Sequence, residues 1–495
     1  MQMAEKQAAA VQELPEYKNR YIILAIVLSG VFMGVLDTNV VNVALPTITQ
    51  AFGVELSQSQ WVVTAYLVVN TALLLIFGRL SEYTGKVRLF FAGIGIFTIS
   101  SLACGLSTDL NQLILFRIVQ GLGASIVFSI NTAILVQAFP RKERGRTLGM
   151  IGTIVAIGSI AGPILGGFIT GTVGWQYIFF INVPVGIVLL AAASKYLKLT
   201  EKSCRITGMD WTGAVALMLT MVSLMLMLGD LADSVEPDTA MLIYAGIFLV
   251  SLAWFVSTEL GHRNPIIDLR LFKVRKFTFA SLSTLINFTA FSMFILCIPF
   301  LLQYVWGYSP QQVGTMLLAV PLLTGIVAPL SGYTYDKLQS TYHSSFGMLV
   351  MALALFLLGY VVNLSSPVLL LICLGLFGLG TGLFTSPNNT EIMSALPPQK
   401  SSTASSVLAT VRNFGNSIGV SLASILLYIL LEAAGFTGVV SASLQGKEAL
   451  ASSISVVMYM AAALCVVGVI TSLIVGWSKN QEVNVPAACD VPAKQ

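Results

Sequence analysis

Apolar runs of about twenty residues alternate along the chain with short polar segments, from the first run near residue 21 to the last near residue 477. A helix needs about 20 apolar residues to cross roughly 30 Å of hydrocarbon. Measured with that length, the pattern predicts fourteen spans. Six lie near residues 21–45, 61–80, 89–106, 112–137, 147–170 and 175–196, and two follow at 211–231 and 240–258. The last six lie near 277–304, 311–333, 346–362, 367–390, 403–431 and 455–477. The expected fold class is an all-α polytopic membrane protein.

The polar segments test that count. If the N-terminus is cytoplasmic and sides alternate, only Arg117, Arg412 and Lys447 of the 26 basic residues fall outside the cytoplasmic segments. The segment after the seventh span holds Asp230, Asp233, Glu236 and Asp238 and no Lys or Arg. This asymmetry is the positive-inside signature, and it predicts an even number of spans in the cytoplasmic (inner) cell membrane with both termini inside. The first run follows about twenty polar residues and continues through Asp37, so it reads as a retained span rather than a cleavable signal. Residues 78–88, GRLSEYTGKVR, and 332–338, GYTYDKL, each place an acid four residues after a Gly and a Lys close behind. This echo suggests an internal repeat of the kind from which many secondary transporters are built; chance similarity of short basic segments is the alternative. The implied organisation is a cytoplasmic tail at 1–20, a six-helix bundle at 21–198, two inserted helices at 199–262, a second six-helix bundle at 263–478 and a cytoplasmic tail at 479–495.

Composition narrows the function. With 10% charged and 56% hydrophobic residues and a mean hydropathy of +0.86, the 495-residue chain has too little polar surface for a soluble domain. The six cysteines lack paired spacing, and His262 and His343 fall in predicted loops, so neither a metal site nor histidine catalysis is expected. No cofactor is expected, since there is no GxxxxGK[ST] loop for ATP and the energy must come from an ion gradient. An enzyme would need a convergent nucleophile or metal constellation. A sensor that binds ligand without transporting it would need a sizeable soluble domain, and the tails are too short to supply one.

Ionisable groups inside hydrocarbon are costly and need a partner or a wet cavity. At 1.5 Å per residue, Asp37 lies about 24 Å along the first span, and Arg117 enters the fourth from the other side by roughly 10 Å. The two depths match within a few ångströms, so the pair is geometrically possible. Apolar surroundings raise a carboxylate's affinity for a proton and a nearby Arg lowers it, so a change in separation could load and release a proton. A static ion pair locking two helices is the other reading. Asn39, Asn42, Tyr66 and Asn70 could line a cavity or bond between helices. In the fifth span Gly158, Gly162 and Gly166 recur every fourth residue beside Pro163 and Gly167, which suits a smooth, bent helix at a moving seam, although tight packing alone would use the same glycines. In the second half Asn388, Asn389 and Glu391 precede Arg412, Asn413 and Asn416, with Arg412 expected to pair with Glu391 or with the Asn carbonyls. Phe288, Phe291, Phe294 and Tyr304 of the ninth span could form an apolar wall for ligand.

Together these segments resemble the major facilitator superfamily, and within it the fourteen-span drug:proton antiporter branch. Residues 78–86 resemble its loop motif, and Arg117, Gln120, Gly121 and Gly123 its fourth-helix motif. Residues 158–167 resemble the antiporter motif that marks exporters, residues 36–46 (LDTNVVNVALP) the first-helix motif of that branch, and Ser386-Pro387-Asn388-Asn389 with Arg412-Asn413 its second half. The resemblance implies proton coupling at Asp37 and Arg117 and a cytoplasmic latch formed by Gly78, Glu82, Gly85, Lys86 and Arg88. Glu82 stands where the family usually has Asp, which keeps the charge and changes the reach. Asn42, Tyr66, Asn70, Gln120, Phe291, Asn388, Asn389, Arg412 and Asn413 become candidates for the substrate cavity. The expectation is a monomeric, non-enzymatic secondary exporter, with small hydrophobic or cationic substrates, protons and the lipid bilayer as its partners and no nucleic acid. Export of one dedicated metabolite is the alternative, because specificity lives in cavity side chains and not in the fold.

Overall fold

The computed structural model describes residues 19–140, 143–199, 210–233, 238–262, 269–338, 342–364, 366–396, 401–436 and 444–477, together with the helical backbone at several positions within them whose side chains are not described. Fourteen helices occupy the predicted spans, and there is no strand among the described residues. In chain order they are α1 (Arg20–Phe52), α2 (Trp61–Thr84), α3 (Lys86–Gly105), α4 (Leu110–Ala138), α5 (Arg144–Thr172), α6 (Asn182–Tyr196), α7 (Trp211–Asp233), α8 (Thr239–Gly261), α9 (Arg275–Phe300), α10 (Ala319–Leu338, preceded by a helical segment Pro310–Leu317), α11 (His343–Val361), α12 (Pro367–Ser394), α13 (Ser401–Ala433) and α14 (Leu444–Trp477). Thirteen of them, with their short extensions, are long and apolar enough to span a bilayer; in α5 the apolar part is Ile157–Thr172. His343 is the first residue of α11 and not a loop residue.

Several helices outrun the apolar runs that predict them. α1 passes through Pro46 to Phe52, where Gly53 closes it in a left-handed turn at φ 63°. A proline is tolerated inside a membrane helix where neighbouring groups can satisfy the backbone it frees. α14 begins at Leu444 and includes polar Gln445, Lys447 and Glu448, which an apolar ruler leaves out. α9 ends in a wide π-type turn, Leu301–Val305, that shifts the register of Gln303 and Tyr304.

Packing within residues 20–196 recurs within residues 275–477. α1 packs on α4, α5 and α6, α2 on α4, and α3 on α4 and α6; in the same order α9 packs on α12, α13 and α14, α10 on α12, and α11 on α12 and α14. Two six-helix bundles result, and α7 and α8 pack chiefly on each other, with α7 also against α2 and α13. The crossings use the same device in both bundles. A Cβ on Gly121 of α4 would stand 2.7 Å from the Tyr66 carbonyl oxygen, and one on Gly123 2.6 Å from the Phe97 nitrogen. In α12, Gly378 lies as close to the Val320 carbonyl (2.5 Å) and Gly380 to the Met351 nitrogen (2.7 Å). The Gly-x-Gly pairs therefore correspond, and by the same count Arg117 and Gln120 correspond to Leu374 and Phe377.

Arg20 pairs with Glu143 at 3.2 Å and Tyr21 meets Phe139 edge-on at one end of the molecule, here the basal end, while Phe52 meets Trp175 at the far end. The bundles touch along α5–α10, α1–α9 and α2–α13.

Candidate functional site

The first bundle closes around one charged group. Arg117 of α4 and Asp37 of α1 are both fully buried and pair at 2.6 Å between Nη1 and Oδ2. The agreement in depth expected from the helical rise is thus realised as contact. Arg117 Nη1 also donates to Gln120 Oε1 at 2.6 Å, and Nε donates to the Val62 carbonyl at 2.8 Å. The other carboxylate oxygen of Asp37 accepts from Gln120 Nε2 at 3.0 Å and Asn182 Nδ2 at 2.9 Å. Gln120 Nε2 reaches Ser101 Oγ at 2.6 Å, and the Arg117 guanidinium lies 4.1 Å from the centroid of the Tyr66 ring. Three helices, α1, α4 and α6, meet at the carboxylate, and α2 and α3 complete the network through Arg117 and Gln120.

Two cavity expectations change here. Gln120 and Tyr66 are wholly buried within the ion-pair network and do not line an open space. Gln120 lies one turn beyond Arg117 on α4, so its amide lies over the guanidinium and not towards the other bundle. Asn182 and Ser101 were not singled out from sequence. A lone Asn inside an apolar run, at the start of α6, was the available signal; Ser101 gave none, because Ser is common on the small faces of membrane helices.

The glycines of α5 serve two neighbours. A Cβ on Gly158 would meet Val35, one on Gly162 would stand 2.3 Å from Asn39 Cβ, and one on Gly166 would stand 3.0 Å from the Val40 carbonyl, so this face packs on α1. Gly167 instead faces the other bundle, where its Cβ would come within 2.3 Å of the Pro310 carbonyl, and a Cβ on Gly314 would approach the Pro163 carbonyl to 2.1 Å. At the same far end Thr47 Oγ1 donates to Gln303 Oε1 (3.1 Å), Gln303 Nε2 to the Val43 carbonyl (3.0 Å) and the Tyr304 hydroxyl to the Pro46 carbonyl (3.0 Å). Tyr304 is therefore a clasp between bundles and not part of a ligand wall.

The remaining aromatics divide. Phe294 is buried and stacks on Phe377 at 4.2 Å, whereas Phe291 and Phe288 are partly exposed, with centroids 6.4 Å apart. Asn388 is buried and donates to Thr284 Oγ1 at 2.7 Å, joining α12 to α9. Asn389, Arg412 and Asn413 are partly exposed, while Asn42 and Asn70 are buried, and Asn70 Oδ1 has no hydrogen-bond donor among the described residues. Arg412 does not pair with Glu391, which accepts from Ser344 at 3.4 Å; the guanidinium lies 6.0 Å from the Phe288 centroid. Asn416 Oδ1 accepts from Ser292.

At the basal end Gly78 lies beside Ser129, and Gly85, at φ 96°, ends α2 and starts α3. Lys86 donates to Gln137 Oε1 at 3.0 Å, and Arg88 is exposed. The side chain of Glu82 lies outside the described residues. The repeat position of Gly78 is Gly332, whose Cβ would stand 2.6 Å from Ser386 Oγ.

Comparison with known proteins agrees with this architecture. The Major Facilitator Superfamily profile matches residues 27–420. The chain is 36% identical over 411 residues to the riboflavin transporter RibZ of Clostridioides difficile (strain 630), covering 82% of this chain and 88% of that protein. It is 31% identical over 421 residues to the multidrug export protein EmrB of Escherichia coli (strain K12), covering 83% and 81%. Among solved structures, a bacterial homolog of the human lysosomal transporter Spinster, in an inward-facing and unoccupied conformation, superposes with a TM-score of 0.67 at 15% identity, covering 93% of this chain and 98% of that one. With the profile spanning most of its length and the paired six-helix bundles in place, the chain belongs to the Major Facilitator Superfamily of transporters.

Proposed function

We propose that this protein is a secondary active exporter that moves hydrophobic or cationic small molecules out of the cell in exchange for protons, by alternating access. The observation that carries this reading is the fully buried Asp37–Arg117 pair. Each partner sits on a different helix, and the other donors to Asp37 come from α4 and α6. Movement of α1 against those helices changes how many donors reach the carboxylate, and donors to the charged form set whether it holds a proton. Its described neighbours are N–H groups, not the several oxygens a sodium ion would require, which favours the proton as the driving ion.

The closed far end supplies one state of the cycle. With the N-terminus in the cytoplasm, α1 is fastened to α9 and α5 to α10 on the outside, and the substrate path opens inward. The loop bearing Gly78, Glu82, Gly85, Lys86 and Arg88 serves the opposite state, fastening the basal end when the far end parts. The likeness to EmrB, named a multidrug export protein, supports export of drugs. The higher identity to RibZ, named a riboflavin transporter, favours a second reading in which a single metabolite is moved.

Proteoliposomes enclosing a pH-sensitive dye test the proposal. Imposed gradients of ethidium or of riboflavin are expected to drive proton flux through the wild type and none through Asp37→Asn. Flux with riboflavin alone selects the dedicated carrier. Flux that survives in Asp37→Asn removes the coupling role from α1, and silence of the wild type towards both solutes overturns drug export.

A further inference from the structure

The second bundle contains a cation with no counter-ion among the described residues. Arg412 lies eleven residues into α13, about 16 Å from the start of the helix. No hydrogen bond or ion pair holds its guanidinium to any described residue, and its nearest described partner is the Phe288 ring at 6.0 Å. That distance is at the edge of the cation–π range, so the five N–H donors of the side chain remain available.

The surroundings of Arg412 are polar and aromatic. Arg412, Asn413 and Asn416 lie on one side of α13 and are all partly exposed. Gly415 and Gly419 bring the adjoining face against α9, where Asn416 accepts from Ser292. A guanidinium open to lipid at this depth is expensive, so its exposure marks a polar space between helices. Phe288 and Phe291 flank that space, partly exposed, and Phe291 stacks on Phe377 at 5.9 Å with planes 21° apart, which fixes its ring. One residue before Phe288, the Asn287 amide is buried with neither its oxygen nor its nitrogen bonded to a described residue.

We propose that Arg412, Phe288 and Phe291 form a binding site for a planar aromatic anion, whose ring rests on the phenyl pair and whose carboxylate, sulfonate or phosphate takes the guanidinium. A carboxylate suits the guanidinium because two parallel N–H···O bonds can form at once. A cationic ligand with the same ring meets an unpaired positive charge in a medium of low polarity and is repelled. The site therefore selects by charge within the aromatic class. That the bound molecule is then exported rests on the proposed function; that it binds here does not.

Two probes with one ring and opposite charge provide the test. Binding of 9-anthracenecarboxylate and 9-anthracenemethylammonium to the full-length protein in lipid nanodiscs is measured by equilibrium dialysis, with empty nanodiscs subtracted and no ion gradient. The wild type is expected to bind the carboxylate at least about tenfold more tightly. Arg412→Gln should weaken the carboxylate by about tenfold to a hundredfold, as loss of a charge-assisted bond does, and leave the ammonium probe as tight or tighter. Arg412→Lys, which keeps the charge but not the fork, should fall between them. Equal or tighter binding of the ammonium probe by the wild type, or a loss in Arg412→Gln common to both probes, overturns the assignment. Because the dialysis is run without an ion gradient and reads binding alone, failure of this site stays distinct from failure of proton coupling, which only the flux assay reads.

Discussion

The two bundles share a frame and differ in what fills it. Gly121 and Gly123 bring α4 against α2 and α3 just as Gly378 and Gly380 bring α12 against α10 and α11. One turn away the likeness ends. The first bundle places Arg117 and Gln120 there, and with Asn182 of α6 they satisfy Asp37 of α1. The second places Leu374 and Phe377 at the corresponding positions, where the Phe377 ring is stacked by Phe294 and Phe291. A stack of aromatic rings holds helices together without desolvating any charge. A buried ion pair is weak evidence for stability, since apolar residues of similar volume often serve as well. At the corresponding positions the described second bundle closes without one, which favours the coupling role proposed for the charges of the first.

That contrast can be broken directly. Arg117→Leu strands Asp37 and is expected to lower stability by about 3–5 kcal/mol, the usual cost of breaking a buried pair, read as a fall in unfolding temperature in detergent. The double replacement Asp37→Ala with Arg117→Leu gives the first bundle the apolar character of the second. It should recover most of that loss while proton-linked transport stays absent. A double variant as unstable as the single one would make the ion pair structural. A smaller effect is expected at the seam. Gly167→Leu forces a side chain against the Pro310 carbonyl, an overpacking of about 1–3 kcal/mol that acts only where the bundles meet. In a cysteine-free background, labelling of Thr47→Cys by a membrane-impermeant maleimide should rise severalfold, and unchanged labelling would mean that the seam does not govern access. The smallest change is expected in the second bundle. Phe294→Leu removes a stacked pair worth about 0.5–1.5 kcal/mol beyond its area and should lower the unfolding temperature slightly without altering proton flux.

Much of this arrangement was legible in the sequence wherever helical arithmetic applies. The apolar period located fourteen helices, and a rise of 1.5 Å per residue placed Asp37 and Arg117 at one depth. The same arithmetic speaks against pairing Glu391 with Arg412. Glu391 lies three residues from the end of α12, about 5 Å in, and Arg412 lies about 16 Å along α13. What depth cannot reveal is rotation about the helix axis, which decides between neighbours at one level. Gln120 therefore proved to be a ligand of Asp37, Asn182 joined the network from α6, and Tyr304 turned towards α1 after a wide turn that no local signal announces.

That wide turn sets an energy scale for the whole molecule. By ending α9 in Leu301–Val305, it delivers Gln303 and Tyr304 side by side to α1, where they make three hydrogen bonds across the far end among the described residues. At about 1 kcal/mol net for each, the clasp contributes roughly 3 kcal/mol to the fastened form, on the order of a hundredfold in its population relative to the same seam without it. A population difference of that size is small enough for ligand binding to reverse, and the helix movements it governs belong to the microsecond-to-millisecond class of collective motions. In the proposed cycle, the fastening on α1 is strong enough to limit idle leakage of protons and weak enough that a single bound molecule can tip the balance.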